Sequence, residues 1–324
     1  MAMTRQRRHL LALLAAACAP VVRAQPVFPS RALRIVVPFG AGGVADLTAR
    51  TVAQKMTQGL GHPVVIENKP GAGGVAASDA VAKAAADGHT LLLMSNASAV
   101  SATLFRSLPY DTVRDFTPLS TLGFFDIGVV TASESRFRTL GELLAHARAH
   151  AGQLNVGSIN IGSTQNLAAE LFKSHAGIDV QIVPFNGTPA VVNALRGGQI
   201  DVAVEIIAPL MGQIRGGVLR VLAVTSEQRS ALLPGVPTTR EAGLPGYLAS
   251  SWNGLAVPAA TPREVVVRLH REIQAALADP EVAQRLRELG IEPRGMSPEQ
   301  ARSFLQAEIR HWGDVIVRAR IPQQ

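Results

Sequence analysis

A single cysteine, Cys18, occurs in 324 residues, and it lies within a leader-like N-terminal stretch. Past that stretch there is no disulfide to close, no thiol nucleophile and no cysteine-ligated metal. Aromatic residues make up only 4% of the chain, and no lysine/arginine run is interleaved with them, which argues against a nucleic-acid partner. No segment past the leader approaches the roughly 20 apolar residues that a bilayer crossing needs. Catalytic patterns are also missing. His146 and His150 stand four apart in "LLAHARAH" without the glutamate of H-E-x-x-H, which predicts a solvated helix face and no metal. Ser158 and Ser163 do not sit in G-x-S-x-G. Asp46, Asp126, Asp201 and Glu205 are dispersed, and read as capping, hinge and cleft-rim residues rather than an acid/base pair. Neither an enzyme nor a bound cofactor is expected.

What is present begins with export. Arg5, Arg7 and Arg8 precede an apolar stretch from Leu10 to Ala19, followed by the small-residue exit Val22-Arg23-Ala24. This three-part layout predicts a signal peptide over 1–24, cleaved after Ala24, and a periplasmic location. Arg7-Arg8 leaves twin-arginine export open beside the general route, and Ala-Ala-Ala-Cys18 leaves lipidation open. Removing Arg5, Arg7, Arg8 and Arg23 lowers the net charge from +7 to +3, so the high pI belongs partly to the leader.

Short continuous apolar runs then alternate with helical stretches. "LRIVVPF", "HPVVIEN" and "HTLLLMS" read as strands buried on both faces of a parallel sheet. Apolar residues at Ala45, Ala49, Val52, Ala53, Met56 and Leu60 predict a helix over 44–60, and an alanine-rich helix is expected over 75–86. The pattern returns in "LNVGS", a helix over 164–175, "VQIVPF", and a helix over 189–196 with Thr188 as N-cap and Pro189 as its first residue. "QIDVAVE" and "LRVLAVTS" follow as strands. A Pro/Gly-rich connector then leads to helices over 262–277 and 298–317. The class is α/β.

The hexapeptide GAGGVA occurs at 40–45 and again 31 residues later, at 71–76. Both copies fit a loose dinucleotide fingerprint, with Glu67 placed like a ribose-binding acid. Three observations oppose a dehydrogenase: Pro38 lengthens the first connection, the second copy follows the second strand, and an exported protein meets little nicotinamide cofactor. The glycines instead let a ligand approach helix N-termini, whose first N–H groups lack internal partners. Two such turns on adjacent strands make two halves of one anion cradle. "NIGSTQN" and "FNGTP" add Ser163, Thr164, Asn166, Asn186 and Thr188 as possible donors, each also open to a simple capping role.

"FPSRALRIVVPFGAGGVADLTAR", "VVIENKPGAGG", "LPYDTVRDFTPLS", "GGQIDV", "VPTTREAGLPGY" and "WNGLAVPAATP", in this order, resemble the Bug family, the solute receptors of tripartite tricarboxylate transporters. The resemblance runs from Phe28 to about Trp312. It implies a type II periplasmic-binding-protein fold, with two α/β domains around a ligand cleft joined by two crossing strands. Domain 1 would hold 26–127 plus 250–324, and domain 2 would hold 128–249. It implies a monomeric receptor for a small carboxylate solute, partnered by membrane permease subunits or, alternatively, by a sensor protein. Carried over, the ligand-binding positions are Phe39, Gly42, Gly43 and Asp46 in the first loop, and Asn68, Lys69, Gly71, Ala72, Gly73 and Gly74 in the second. This chain departs from the family pattern at Ala41 and Ala45, at Gln165 and Asn166, and at Glu205, where aspartate is common. Glu205 is expected to receive a ligand ammonium or to line the rim.

Overall fold

The computed structural model describes residues 28–159, 163–318 and 321–323; the leader expected over 1–24 lies outside them. The first strands and helices alternate as the apolar runs predict: β1 (Leu33–Val37), α1 (Val44–Leu60), β2 (Val64–Asn68), α2 (Val75–Ala82), β3 (Thr90–Ser95) and α3 (Asn96–Leu104). β1 pairs in parallel with β2 on one side and β3 on the other. Every residue of β3 is buried, as a continuous apolar run requires. β2 differs, because it is the sheet edge and Val65 is 49% exposed. α2 stops at Ala82, short of the expected 86, where Lys83 caps it.

β4 (Phe116–Ala132) is a 17-residue strand that the apolar pattern hides, because Pro118, Gly123, Asp126 and Gly128 interrupt it. A second alternating series follows: α4 (Leu140–Ala149), β5 (Asn155–Ile159), α5 (Thr164–Ala176), β6 (Gln181–Phe185), α6 (Thr188–Arg196), β7 (Val202–Ile206), α7 (Met211–Arg215) and β8 (Leu219–Val224). The Pro/Gly-rich connector ends in a buried strand, β9 (Ser250–Pro258), which the reading of that segment as a linker missed. α8 (Arg263–Ala278), α9 (Pro280–Glu288), β10 (Ile291–Pro293) and α10 (Pro298–Arg318) complete the described order.

Ten strands form one curled sheet, β2-β1-β3-β9-β4-β7-β5-β6, with β8 and β10 also pairing β4. The first two-thirds of β4 pairs antiparallel with β9, ending at Asp126↔Ser250. From Ile127 onward it pairs with β7 on one side and β8 on the other. One strand therefore serves two groups. Among the described residues only β4 is continuous through both; the return crossing is the Ala249–Ser250 step into β9. Thr225 holds the two crossings together. Its N–H donates to Ile127 O at 2.9 Å, its carbonyl accepts Ala249 N–H at 3.1 Å, and its hydroxyl lies between the Ile127 and Ala249 carbonyls.

The register decides where the strand ends point. β3 ends beside β9 at Ser95↔Asn253, and Asn96 Nδ2 reaches Ser250 O at 2.9 Å. β7 ends at Ile206↔Ile127, and Ile207 N–H donates to Asp126 O. The carboxyl ends of both groups thus converge on one point of β4, and the parallel partners of β3 and β7 follow them. Each strand group has its own outer core: Leu33, Ile35, Met56 and Ile273 under α1 and α8, and Val191, Leu195 and Ile207 under α6. A third cluster runs from Leu92 and Trp252 through Ile127 to Phe172, and α10 packs over it. There Glu308 accepts hydrogen bonds from both tryptophans of the chain, Trp252 at 3.0 Å and Trp312 at 3.2 Å.

Replacing Thr225 by valine keeps the shape but removes the hydroxyl donor facing the buried Ala249 carbonyl, while Ile127 O keeps the Thr225 N–H. The expected cost is about 1–3 kcal/mol, read as a melting temperature lower by several degrees. An unchanged melt would show that the crossing does not depend on that hydroxyl.

Candidate functional site

The two GAGGVA turns leave adjacent parallel strands at the same edge and enter α1 and α2. Neither helix has a side-chain cap; Gly43 and Gly74 stand at their N-cap positions. In α1 the first helical bond is Leu47 N–H to Gly43 O, so the amides of Val44, Ala45 and Asp46 precede it. By contrast, α3 is closed by a Ser95–Ser98 capping box. The second turn packs against Pro38 of the β1–α1 connection and against Ser101 of α3. A Cβ built on Gly74 would lie 3.0 Å from Pro38 Cβ, and one on Gly73 would fall 2.4 Å from Ser101 Oγ. Gly73 and Gly74 both have positive φ, 59° and 72°, and Ser101 fixes the turn by donating to Gly73 O at 2.8 Å. Gly71 O accepts Gly74 N–H at 3.1 Å, and Ala72 opens the intervening 3-10 turn Ala72–Gly74.

Asp46 organises the first turn rather than facing outward. It is buried, and its Oδ2 accepts Gly42 N–H and Arg50 Nε, both at 2.9 Å. Its Oδ1 accepts Asn68 Nδ2 at 2.8 Å, and that amide also reaches Phe39 O at 3.0 Å. Asn68 thereby ties the end of β2 to the first loop. The Phe39 ring packs on the outer core. Burial pushes the Asp46 carboxyl up, yet Arg50, the Gly42 N–H and Asn68 outweigh it and hold the group below the ordinary aspartate range. Arg50 is the residue that sequence reasoning overlooked, although its i,i+4 spacing from Asp46 was a usable signal. Lys69 is exposed, and its N–H extends the ladder to Val37 O.

At the facing edge, Ser163 caps α5. Its Oγ accepts Asn166 N–H at 3.1 Å and donates to Ile159 O at 2.9 Å. Thr164 opens that helix half-buried, and Asn166 is buried with Nδ2 toward Ser158 Oγ at 3.2 Å. Capping is what Ser163 does here, and Asn166 braces the turn. Asn186 is exposed in the β6–α6 connection. Gly187, at φ 129°, is the N-cap of α6, so Thr188 is its first residue and not the cap expected from sequence. The Thr188 hydroxyl is turned to Glu205 instead, as is the Gln165 amide. Glu205 is not on the rim. It is wholly buried near the end of β7, and burial raises its pKa against the pull of Thr188, Gln165 and the Ile206 N–H.

Other expected features fall outside this edge. Glu67 pairs with Arg34 at 2.8 Å and is not held for a ribose. His146 and His150 stack at 4.2 Å on α4, with Arg136 2.9 Å from His146. Asp201 caps the start of β5 through Asn155 N–H. Among the described residues no helix is long and apolar enough to cross a membrane, and no group of three or more His, Cys, Asp or Glu is arranged to hold a metal.

The model of the tripartite tricarboxylate transporter family receptor matches residues 48–321. The chain belongs to that family. Among its relatives, Protein BugT of Bordetella pertussis is 37% identical over 315 residues, 95% of this chain and 96% of that protein. Among solved structures, MatC from Rhodopseudomonas palustris with bound malate is 34% identical with a TM-score of 0.77, over 89% of this chain and all of that one. An R. palustris protein with adipate is 32% identical with a TM-score of 0.81, over 91% and 99%. The fold is that of the periplasmic binding proteins of this receptor family. Within it, the two glycine turns lie at the strand edge that faces the second strand group.

The Asp46 network gives the receptor a pH signature. An Asp46→Asn variant should lose about 1–3 kcal/mol at neutral pH, as the charged acceptor of three donors disappears. Because the folded carboxyl titrates below its unfolded value near 3.9, its contribution is complete above that pH and fades as pH falls through the folded value. The melting gap between parent and variant should therefore be widest above about pH 4 and close below it. A gap independent of pH would contradict the network.

Proposed function

We propose that the chain is exported by its first 24 residues and works in the periplasm as a receptor that captures a small carboxylate solute between two lobes, 26–127 plus 250–324 and 128–249. It hands the solute to the membrane subunits of a tripartite tricarboxylate transporter, and performs no chemistry on it. The observation that carries this reading is the pair of uncapped helix N-termini that follow two adjacent parallel strands. Their amides and dipoles favour an anion. Malate and adipate in two neighbours of the same fold support a carboxylate as that anion.

The proposed contacts divide by role. The amides that follow Gly43 and Gly74 would hold the carboxylate. Gly42, Asp46, Asn68 and Phe39 O set the first turn, and Gly71, Gly73 and Ser101 set the second. Lys69 adds long-range attraction from the edge. Each charge-assisted hydrogen bond contributes roughly 1.5–3 kcal/mol. Four or five of them reach about −8 kcal/mol, the micromolar scale, after association costs. The two crossings at Asp126–Ile127 and Ala249–Ser250 would act as the hinge on which the lobes close.

Melting of the protein lacking residues 1–24 tests this against a panel of mono-, di- and tricarboxylates and amino acids, with NAD as control. A solute at 100 times its Kd adds about 2.7 kcal/mol, a rise of several degrees. At least one carboxylate should raise the melt and NAD should not. A rise with NAD alone would overturn the receptor reading.

A further inference from the structure

Arg50 closes a ring of three side chains behind the first glycine turn. Its Nε donates to Asp46 Oδ2 at 2.9 Å, Asp46 Oδ1 accepts Asn68 Nδ2 at 2.8 Å, and Asn68 Oδ1 accepts Arg50 Nη2 at 3.2 Å. Through the Gly42 N–H and Phe39 O the ring holds the first turn. Through Asn68 it holds the last residue of β2, just before the second turn. The Arg50 side chain is nonetheless 49% exposed, on an outer groove of about 440 Å³ between α1 and α9. Its replacement therefore opens no hole in the core.

The place of Asp46 gives this pairing a consequence for anion binding. Gly43 is the N-cap of α1, so Asp46 is the third helical residue, where a carboxylate already answers the positive end of the helix dipole. A solute carboxylate at the amides of Val44, Ala45 and Asp46 would meet that buried anion. Of the groups acting on Asp46, namely Arg50, the Gly42 N–H and Asn68, only Arg50 is charged. The groove's other charges are engaged elsewhere or stand apart: Lys55 pairs with Asp279 at 2.6 Å, Arg285 pairs with Glu288 at 3.3 Å, and Glu281 lies in the first turn of α9. Lys69, next after Asn68, is exposed. We propose that Arg50 is a positioning residue for solute capture: without touching the solute, it offsets the charge of Asp46 beside the first-turn amides and ties both glycine turns into one ring. The inference rests on the receptor reading above and names a side chain that tunes its site.

Calorimetric titration tests it on the protein lacking residues 1–24, which contains every described residue. The probes are malate, adipate, citrate, benzoate and glutamate; the proteins are the parent, Arg50→Gln, Arg50→Lys, and Arg50→Gln combined with Asp46→Asn. At pH 7 the Gln variant should bind about ten-fold or more weaker than the parent, because Asp46 then faces the incoming carboxylate without its cation. The deficit should shrink as pH falls toward about 5, since a buried Asp46 stripped of Arg50 titrates above the ordinary value of about 3.9. The parent-to-variant ratio removes the solute's own titration. Lysine, which keeps the charge, should bind more tightly than glutamine, and the double variant should recover most of the lost affinity. A deficit that ignores pH and survives in the double variant, or equal binding by parent and Gln variant, overturns the role of Arg50 and leaves the receptor reading intact. A parent that binds none of these carboxylates overturns both.

Discussion

A β-strand in the middle of a sheet must give each of its backbone amides a partner, and β4 meets that demand for two strand groups in succession. Its first stretch is satisfied by β9, and its last by β7 and β8. Because β9 and β7 both run antiparallel to β4, and β3 antiparallel to β9, the carboxyl ends of β3 and β7 are brought to the same point near Asp126. Everything functional follows from that placement. Open α/β sheets carry ligands at the carboxyl ends of their strands, so two such edges meeting on a shared strand place the cleft of the proposed receptor there, with the two crossings at its base. Thr225 matters because it bonds across both crossings at once.

Within that geometry two buried carboxyls, Asp46 and Glu205, are treated in opposite ways. Asp46 has a guanidinium, a backbone amide and a side-chain amide, and is a structural anion that shapes a loop. Glu205 has only neutral partners, Thr188, Gln165 and the Ile206 N–H, and burial raises its pKa. Removing a charge from water without a cationic partner is costly, which is why the two carboxyls shift in opposite directions. Backbone groups show a contrast too: the starts of α1 and α2 are uncapped, whereas α3 and α5 spend a serine on their own caps.

Much of this was readable from the sequence because the relevant signals are local. Continuous apolar runs mark seven strands correctly, and the positions of Gly43 and Gly74 before helical periodicity place the two turns. The failures are non-local. β4 carries Pro118, Gly123 and Gly128, which are tolerated only because bulges and close neighbours such as Ile291 and Ile207 fit against it. β9 hides in a Pro/Gly-rich segment for the same reason: nothing local says that "SSWNGLAVP" will be walled in by β3 and β4. Thr188 looks like a cap by composition, but the pull of Glu205 on its hydroxyl and the φ of Gly187 move the cap back by one residue. The burial of Glu205 itself depends on α5 and α6 arriving on either side of β7, and strand alternation alone does not reveal it.

The central claim is that backbone amides of the two glycine turns hold the solute's carboxylate. Amide chemical-shift mapping of the protein lacking residues 1–24, with the carboxylate that raises its melting temperature most, tests this directly. The account predicts the largest downfield shifts at Val44, Ala45, Asp46 and Val75, Ala76, Ala77, the amides that begin α1 and α2. Shifts confined to other parts of the molecule, with these six unmoved, would contradict it.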